Sequence, residues 1–397
     1  MNRDEIRATA GLSVIYALRM LGMFMILPVF ALYARELPVP ATAAQAGLAV
    51  GLYGLVQAAL QIPFGWLSDR IGRKPVMVGG LTLFALGSAL AGATDDIHWI
   101  MAGRALQGAG AISGAASAWL ADVTRPQVRS TAMAILGAGM GVSFIVALVL
   151  GPVVAGWVGV PGIFDLTALL AALGIPLVIW GLPAAPRLPA DGQSASLRAA
   201  LVDPQLLRLD AGIFLLHAAM TAVFVASPLA LKSTLALPGE QHWKVWLPLL
   251  VLSLLPVFAL FRVVERRRLG RAAYIAAVAL IGLSMLLAIE LWMSAAGLLI
   301  ALLLFFAAFN YLEGALPSMI SRRVPPERKG AALGVYSSAQ FLGGFAGGSL
   351  GGLALGRWGL AGTYGLVAAL AAIWLIMAFG LQASEEPLAA PRQHPTT

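Results

Sequence analysis

Gly65-Trp66-Leu67-Ser68-Asp69-Arg70-Ile71-Gly72-Arg73-Lys74 decides how the chain is read. One acid stands among three cations, with a glycine on either side of it. Gly65 lets a neighbouring helix approach closely, and Gly72 permits a tight turn. Apolar runs flank the stretch, at 45–66 and 75–94, each about the 20 residues that cross a bilayer core as a helix. A charged turn between two such runs reads as a loop at a membrane surface.

The pattern continues outward in both directions. Twelve apolar runs are predicted, at 10–34, 45–66, 75–94, 98–120, 130–156, 162–182, 208–231, 245–263, 272–290, 295–320, 331–355 and 361–381. Composition agrees, since 60% of the 397 residues are hydrophobic and only 11% are charged. Soluble domains carry about 25% charged residues, so a soluble enzyme is excluded. The absence of cysteine excludes a disulfide framework, a thiolate metal site and a thiol nucleophile. His98, His217, His242 and His394 lack metal-ligand spacing. Arg19 interrupts the first run and more spans follow, so that run is not a cleaved signal peptide.

Charge supplies an orientation. With the N-terminus inside, most of the 26 Lys and Arg fall in cytoplasmic segments. Arg35, Lys232, Lys244 and Arg357 fall outside, and Arg19 and Arg104 lie within spans. This is the positive-inside asymmetry. It puts both termini in the cytoplasm and accounts for the net charge of +8 without nucleic acid as a partner.

The longest polar interruption, 183–204, carries Pro183, Pro186, Pro189 and Gly192. It divides the chain into 1–182 and 205–384, each with six spans, followed by a disordered tail at 385–397. A repeat supports the division. A shift of 200 aligns Pro126 with Pro326, Arg129 with Lys329, Ala132 with Ala332, Gly151 with Gly351, Gly156 with Gly356 and Gly159 with Gly359. A shift of 198 aligns Arg70-Ile-Gly-Arg73 with Arg268-Leu-Gly-Arg271. Repeats in the same direction imply two bundles related by an axis along the membrane normal, with a site between them.

Three further stretches stand out: Leu21-Gly22 with Pro28-Val29, Arg104-Ala-Leu-Gln107-Gly108-Ala-Gly110, and Ala147-Leu-Val-Leu-Gly151-Pro152-Val-Val-Ala155-Gly156. With the loop 65–74 they resemble the motifs of the major facilitator superfamily, in its drug:proton antiporter branch. Arg19-Met-Leu-Gly-Met-Phe-Met, Gln61-Ile-Pro-Phe-Gly and Gly334-Val-Tyr-Ser resemble in particular the YajR-type inner-membrane transporters. Ala31 stands where a second proline is usual, and alanines replace two glycines of the fifth-span motif. The second copy of the loop is degenerate, with Val263 and Arg267 at the positions of Gly65 and Asp69.

The resemblance implies an all-α polytopic membrane protein, with twelve transmembrane helices in two pseudo-symmetric six-helix bundles. It implies a cytoplasmic gate of Gly65, Asp69, Arg70, Gly72, Arg73 and Asp122. Asp69 would sit near the N-terminus of span eleven, where the helix dipole favours an anion. Arg73 would pair with Asp122 at the end of span four. Gly151, Pro152 and Gly156 would form the antiporter motif, either as packing and kink chemistry or as a deformable seal between halves. Some members carry a soluble C-terminal domain, which the short Pro-rich tail here leads us to expect absent.

Polar groups inside spans are the candidate site. Glu313 is the one acid deep in a span, and Asn310 shares its face. Glu313, His217 and Arg104 are candidates for proton coupling, since an intramembrane charge costs about 2.5–3.5 kcal/mol unless it is partnered or hydrated. Arg19, Gln57, Gln61, Asn310 and Tyr336 are candidates for a substrate cavity. Blander roles stand beside these: Arg104 holding carbonyls, His217, Gln57 and Gln61 bonding between helices, and Glu313 a permanently protonated acid. Trp243, Trp246 and Trp292 read as interface anchors. Asp69, Asp122, Asp210 and Glu290, near span ends, read as gating-type positions.

No Walker-type loop is present, so neither ATP nor another cofactor is expected. The expectation is a proton-driven exporter of a small amphipathic or drug-like molecule in a bacterial inner membrane, working as a monomer in the lipid bilayer. A sugar or metabolite exporter of the same architecture is the near alternative. A polytopic membrane enzyme or a sensor is the distant one.

Overall fold

The computed structural model describes residues 1–184, 201–325 and 328–382, so most of the expected linker and all of the tail at 385–397 lie outside the described residues. Local chemistry starts and stops the helices. α1 (Arg3–Met25) begins on a capping box, in which Asn2 accepts from the Glu5 amide and Glu5 accepts from the Asn2 amide. A break containing Pro28 separates it from α2 (Phe30–Glu36). α3 (Ala43–Ile71) starts on a second box, Thr42 with Gln45, and ends at Gly72. With φ of 99°, Gly72 occupies backbone space that other residues avoid, as a turn into α4 (Arg73–Gly92) requires. Asp96 caps α5 (Ile97–Ala109), accepting from the His98 amide at 2.7 Å. That bond holds the Asp96 carboxyl below the ordinary range.

After α6 (Ser113–Val123) come α7 (Pro126–Pro176), α8 (Pro204–Leu235), α9 (Trp243–Arg267), α10 (Gly270–Leu291), α11 (Ala295–Arg323) and α12 (Lys329–Phe379). α7 and α12 have 51 residues each. At 1.5 Å per residue, either would be more than twice as long as a bilayer core is thick if it ran straight. Neither runs straight. Gly159 has φ of 69° and Gly359 has φ of 68°, and the chain turns back at each. The first part of α7 climbs along α1, with Gly139 near Ser13 and Ala17 and Gly151 against Met25. The second part descends it, with Thr167 donating to the Gly22 carbonyl at 3.3 Å and Leu182 packed on Gly11. α12 repeats the manoeuvre on α8, passing Phe214, Ala218 and Ala222 before returning to Arg208. One of the three glycine pairs that the 200-residue shift aligns, Gly159 with Gly359, is therefore the pair of turning points.

Among the described residues nine helices are long and apolar enough to cross a membrane. The nine fall short of twelve because α7 and α12 each contain a reversal, and because the run 98–120 is broken at Gly110 into α5 and α6. Every expected apolar run nevertheless has helix beneath it. Buried apolar residues gather mainly into clusters drawn from 12–182 and one drawn mostly from 206–381. α8 is enclosed almost completely, with 94% of its apolar window buried, while the other candidate spans present wide apolar faces outward.

Those outward faces carry a belt of exposed tryptophans. Trp66 and Trp180 lie at the end that bears the arginine-rich loops, hereafter the basic end, and Trp99, Trp157 and Trp358 lie at the opposite end. Amphipathic rings at these depths match a membrane–water interface. Trp246, expected in that belt, is instead fully buried against Phe224 and Phe306.

Of the two readings of Gly151, packing is the one its surroundings favour. It packs within the first set of helices, and an added Cβ would run into the Met25 backbone carbonyl. Gly156 is exposed and faces Glu240, from the second set of helices. Gly151→Ala is therefore expected to destabilise by about 1–3 kcal/mol through overpacking, and Gly156→Ala by much less because the Glu240 side chain can move. Thermal unfolding in detergent checks this, and equal midpoints for the two variants would refute it.

Candidate functional site

A cleft with about 560 Å³ of empty space, part of it open to solvent, lies where α1, α3, α5, α7, α8 and α12 converge. Its wall is mainly apolar, with thioether and aromatic side chains prominent: Met20, Met23, Phe24, Tyr53, Met140, Met220 and Phe341. Methionine side chains adapt to many shapes and polarise readily. The polar groups in the wall are few, namely Arg104, His217, Thr221 and Gln340.

Three helices bring titratable and amide groups together beside this wall. Gln340 Nε2, from α12, lies 2.8 Å from His217 Nε2 on α8 and 3.2 Å from Glu313 Oε1 on α11. His217 Nε2 and Glu313 Oε2 are 3.8 Å apart. The Glu313 side chain is partly exposed at 28%, while its Oε2 is buried without a hydrogen-bond partner. The sequence candidates Glu313 and His217 thus meet, and Gln340, which sequence reasoning missed, joins them.

Arg104 lines the cavity but is bound. It donates to the Ala49 and Val50 carbonyls, each at 3.3 Å, and to Gln107 Oε1 at 2.6 Å, and it lies 5.2 Å from the Tyr53 ring centroid. Gln107 passes the chain on to Ser88 at 2.7 Å, so α3, α4 and α5 are stitched at one level. Arg104 therefore has the carbonyl-holding role and a place in the wall at once.

The other cavity candidates lie elsewhere. Arg19 is 1% exposed and neither snorkels nor lines the cavity. It donates to Gln57 Oε1 at 2.6 Å and to the Gly110 carbonyl at 2.9 Å, which lies at the break between α5 and α6 and also accepts from the Ile112 amide. Gln57 also reaches Ser113, and Gln61 packs on Gly114, so both serve contacts among the first helices. Asn310 donates to Ser253 on α9 at 2.9 Å. Tyr336 is buried on α12, one turn before Gln340, outside the wall. Asp210, expected at a span end, is buried as well.

The two ends of the bundle differ. At the opposite end α3 and α12 touch backbone to backbone: an added Cβ on Gly47 would meet the Gly348 carbonyl, and one on Gly51 would lie 2.8 Å from the Phe345 carbonyl. Lys232 on α8 pairs with Glu36 on α2 at 3.1 Å. At the basic end an added Cβ on Gly65, Gly137, Gly141, Gly330 or Gly334 would meet nothing within 4 Å. The cavity is sealed at one end and splayed at the other.

The loop at 65–74 is ordered by its own charges. Arg73 pairs with Asp69 at 2.5 Å and with Asp122 at 2.8 Å, and donates to Ser68 at 2.6 Å. Arg70 stacks 3.6 Å over Trp66, and Lys74 donates to the Ile179 carbonyl at 3.0 Å. The expected Arg73–Asp122 pair is present. Gly65 lies against Gly114 of α6, whereas the expected seat of Asp69 at the start of span eleven is not made, because the start of α12 stands clear around Gly330 and Gly334 in this conformation. Arg271, the copy of Arg73, instead donates to the Leu381 and Phe379 carbonyls and so caps the end of α12. The degenerate second loop has become a fixed brace.

Comparison with known proteins adds to this geometry. The family model of the Major Facilitator Superfamily matches residues 12–348. The chain is 43% identical over 385 residues to the inner membrane transport protein YajR of Escherichia coli K12, covering 95% of this chain and 84% of that one. It is 34% identical over 162 residues to the class E tetracycline resistance protein of Escherichia coli, covering 40% of this chain and 38% of that one. In fold it resembles a bacterial homologue of the human lysosomal transporter Spinster in an inward-facing, occupied conformation, with TM-score 0.77 and 14% identity over 96% of this chain and 97% of that one.

Proposed function

The chain belongs to the major facilitator superfamily, and from that premise we propose that it exports a small amphipathic or drug-like molecule in exchange for protons. The superfamily and the shared architecture make it a membrane transporter and not an enzyme. Its helical spans and its Escherichia coli relative make it a bacterial inner-membrane protein. The observation that carries the finer reading is the meeting of Glu313, Gln340 and His217 at the edge of a methionine- and aromatic-lined cavity. An apolar, adaptable wall suits an amphipathic solute, whereas a sugar calls for many fixed hydrogen-bond partners.

In this reading the bundles 1–182 and 205–384 rock about the cavity as a monomer, the basic end faces the cytoplasm, and no ATP or other cofactor takes part. With the basic end open, solute enters from the cytoplasm as Glu313 gives up its proton there. After rocking, solute leaves at the opposite end and Glu313 takes a proton from that side. Burial disfavours a charged carboxylate and hydration restores it, so alternating exposure can load and unload the group.

Liposomes holding the purified protein and a lipophilic aromatic dye test the proposal. The expected result is dye accumulation against its gradient under a pH gradient, with protons moving oppositely. Dye movement without proton movement, or movement of sugars alone, would overturn it.

A gate prediction arises from the same reading. Asp69→Asn weakens the pair with Arg73 and removes the anion that would meet α12 when the basic end closes. It is expected to favour the open basic end and slow transport at normal abundance. Distances between spin labels on the two bundles report this, and an unchanged distribution with unchanged transport rejects the gate.

A further inference from the structure

We propose that Gln340 is a positioning residue whose side-chain amide couples the proton on Glu313 to the tautomer of His217, so that the trio carries one proton while His217 stays neutral. The inference rests on Glu313 being the proton carrier, and it concerns how that proton is registered by the rest of the site.

The geometry is a single amide arm between two titratable groups, 2.8 Å from one and 3.2 Å from the other. An amide offers two donors on one side and two acceptor lone pairs on the other, and a half-turn about its last bond exchanges them. With Glu313 as a carboxylate, the NH2 group faces the pair. One N–H donates to Glu313 and the other to the lone pair of His217 Nε2. The His217 proton is then on Nδ1, which is buried on the side of the Ile213 backbone one turn earlier and makes no hydrogen bond in this conformation.

Protonating Glu313 reverses the demand. Its new O–H needs an acceptor, and an unmet donor in a buried site is costly. The half-turn brings the amide oxygen to the same place, where it accepts from Glu313 and from a proton on His217 Nε2. His217 shifts its proton from Nδ1 to Nε2 by exchange with cavity water. One proton has been bound in all, and the charge of His217 is unchanged. An imidazolium would instead add a second cation to a cavity wall that already holds Arg104, with Glu313 neutral and unable to compensate it. The other titratable groups nearby are Asp210 on α8, Tyr274 on α10, Tyr336 on α12, Tyr311 tilted against Phe261, and Tyr53 with Arg104 across the cavity. Arg104 is committed to carbonyls of α3 and to Gln107.

The test is a pH titration of the full-length protein in lipid nanodiscs, with no transported solute. Infrared spectroscopy follows the carboxylic acid band that is lost in Glu313→Gln. Nitrogen-15 NMR follows His217, separating the two neutral tautomers from imidazolium. In the wild type both signals are expected to change at one midpoint, with His217 passing from Nδ1–H to Nε2–H. In Gln340→Leu the carboxyl still titrates but the tautomer no longer follows, and the midpoints separate by about one pH unit or more, as expected when a hydrogen bond to a charged group is lost. Gln340→Met makes the same test should the leucine variant aggregate. A tautomer that still tracks Glu313 in the variant, or imidazolium in the wild type, overturns the proposal. A Glu313 carboxyl that does not titrate overturns the carrier reading itself, which keeps the two failures apart.

Discussion

Glu313→Gln is expected to reduce pH-driven uphill export to the level of protein-free liposomes while the protein folds and downhill exchange continues. Glutamine matches glutamate in size and can still bond Gln340, so the contact of α11 with α12 survives. What it cannot do is bind and release a proton. The remaining exchange should fall by no more than the one or two orders of magnitude that a charged hydrogen bond is worth. Parallel assays with and without a pH gradient separate the two effects. Wild-type gradient-driven transport by this variant would remove Glu313 from the coupling and turn attention to Asp210, the other buried acid of α8, α11 and α12 among the described residues.

The second large effect belongs to the seal at the opposite end. Gly348→Leu places a branched side chain where the backbone of Gly47 now lies, and Gly47→Leu does the same from α3. Overpacking of about 1–3 kcal/mol would shift the closure equilibrium by about five- to 150-fold away from the present conformation. Gly334→Leu has room here and should hold the present conformation, because the added bulk resists closure of the basic end. The chain has no cysteine of its own, so one introduced at Thr221 in the cavity wall can report access. Impermeant thiol reagents should reach it more readily from the opposite side in Gly348→Leu, and from the basic side in Gly334→Leu. The same sidedness in both variants would reject the seal.

The fold is legible in the sequence where one residue type has one physical consequence. Apolar runs predict spans because a bilayer leaves few options, and Gly159 and Gly359 aligned because both turns need positive φ. Arg73 and Asp122 were found through a motif, and the structure pairs them. The failures share a cause. Arg19 and Gln57 read as cavity groups, yet a polar side chain buried between helices leaves the same trace in a sequence as one facing water. Gln340 carried no signal at all. It lies 123 residues from His217, and only the packing of α12 on α8 makes them neighbours. Trp246 was misplaced because proximity to a helix end does not reveal which way the ring points.

The enclosure of α8 has a consequence for how the protein is made. A ribosome delivers this helix to the membrane before α11 and α12 exist, so at first the faces that those helices later cover meet lipid. Only when the last helices arrive can it give up those lipid contacts for the backbone-close surface of Gly343, Gly347 and Gly351. Assembly of the second bundle must therefore wait for the end of translation. A chain halted before Lys329 would leave in the bilayer a helix built for burial, with exposed small and polar positions such as Asp210 and His217 that quality-control proteases can read.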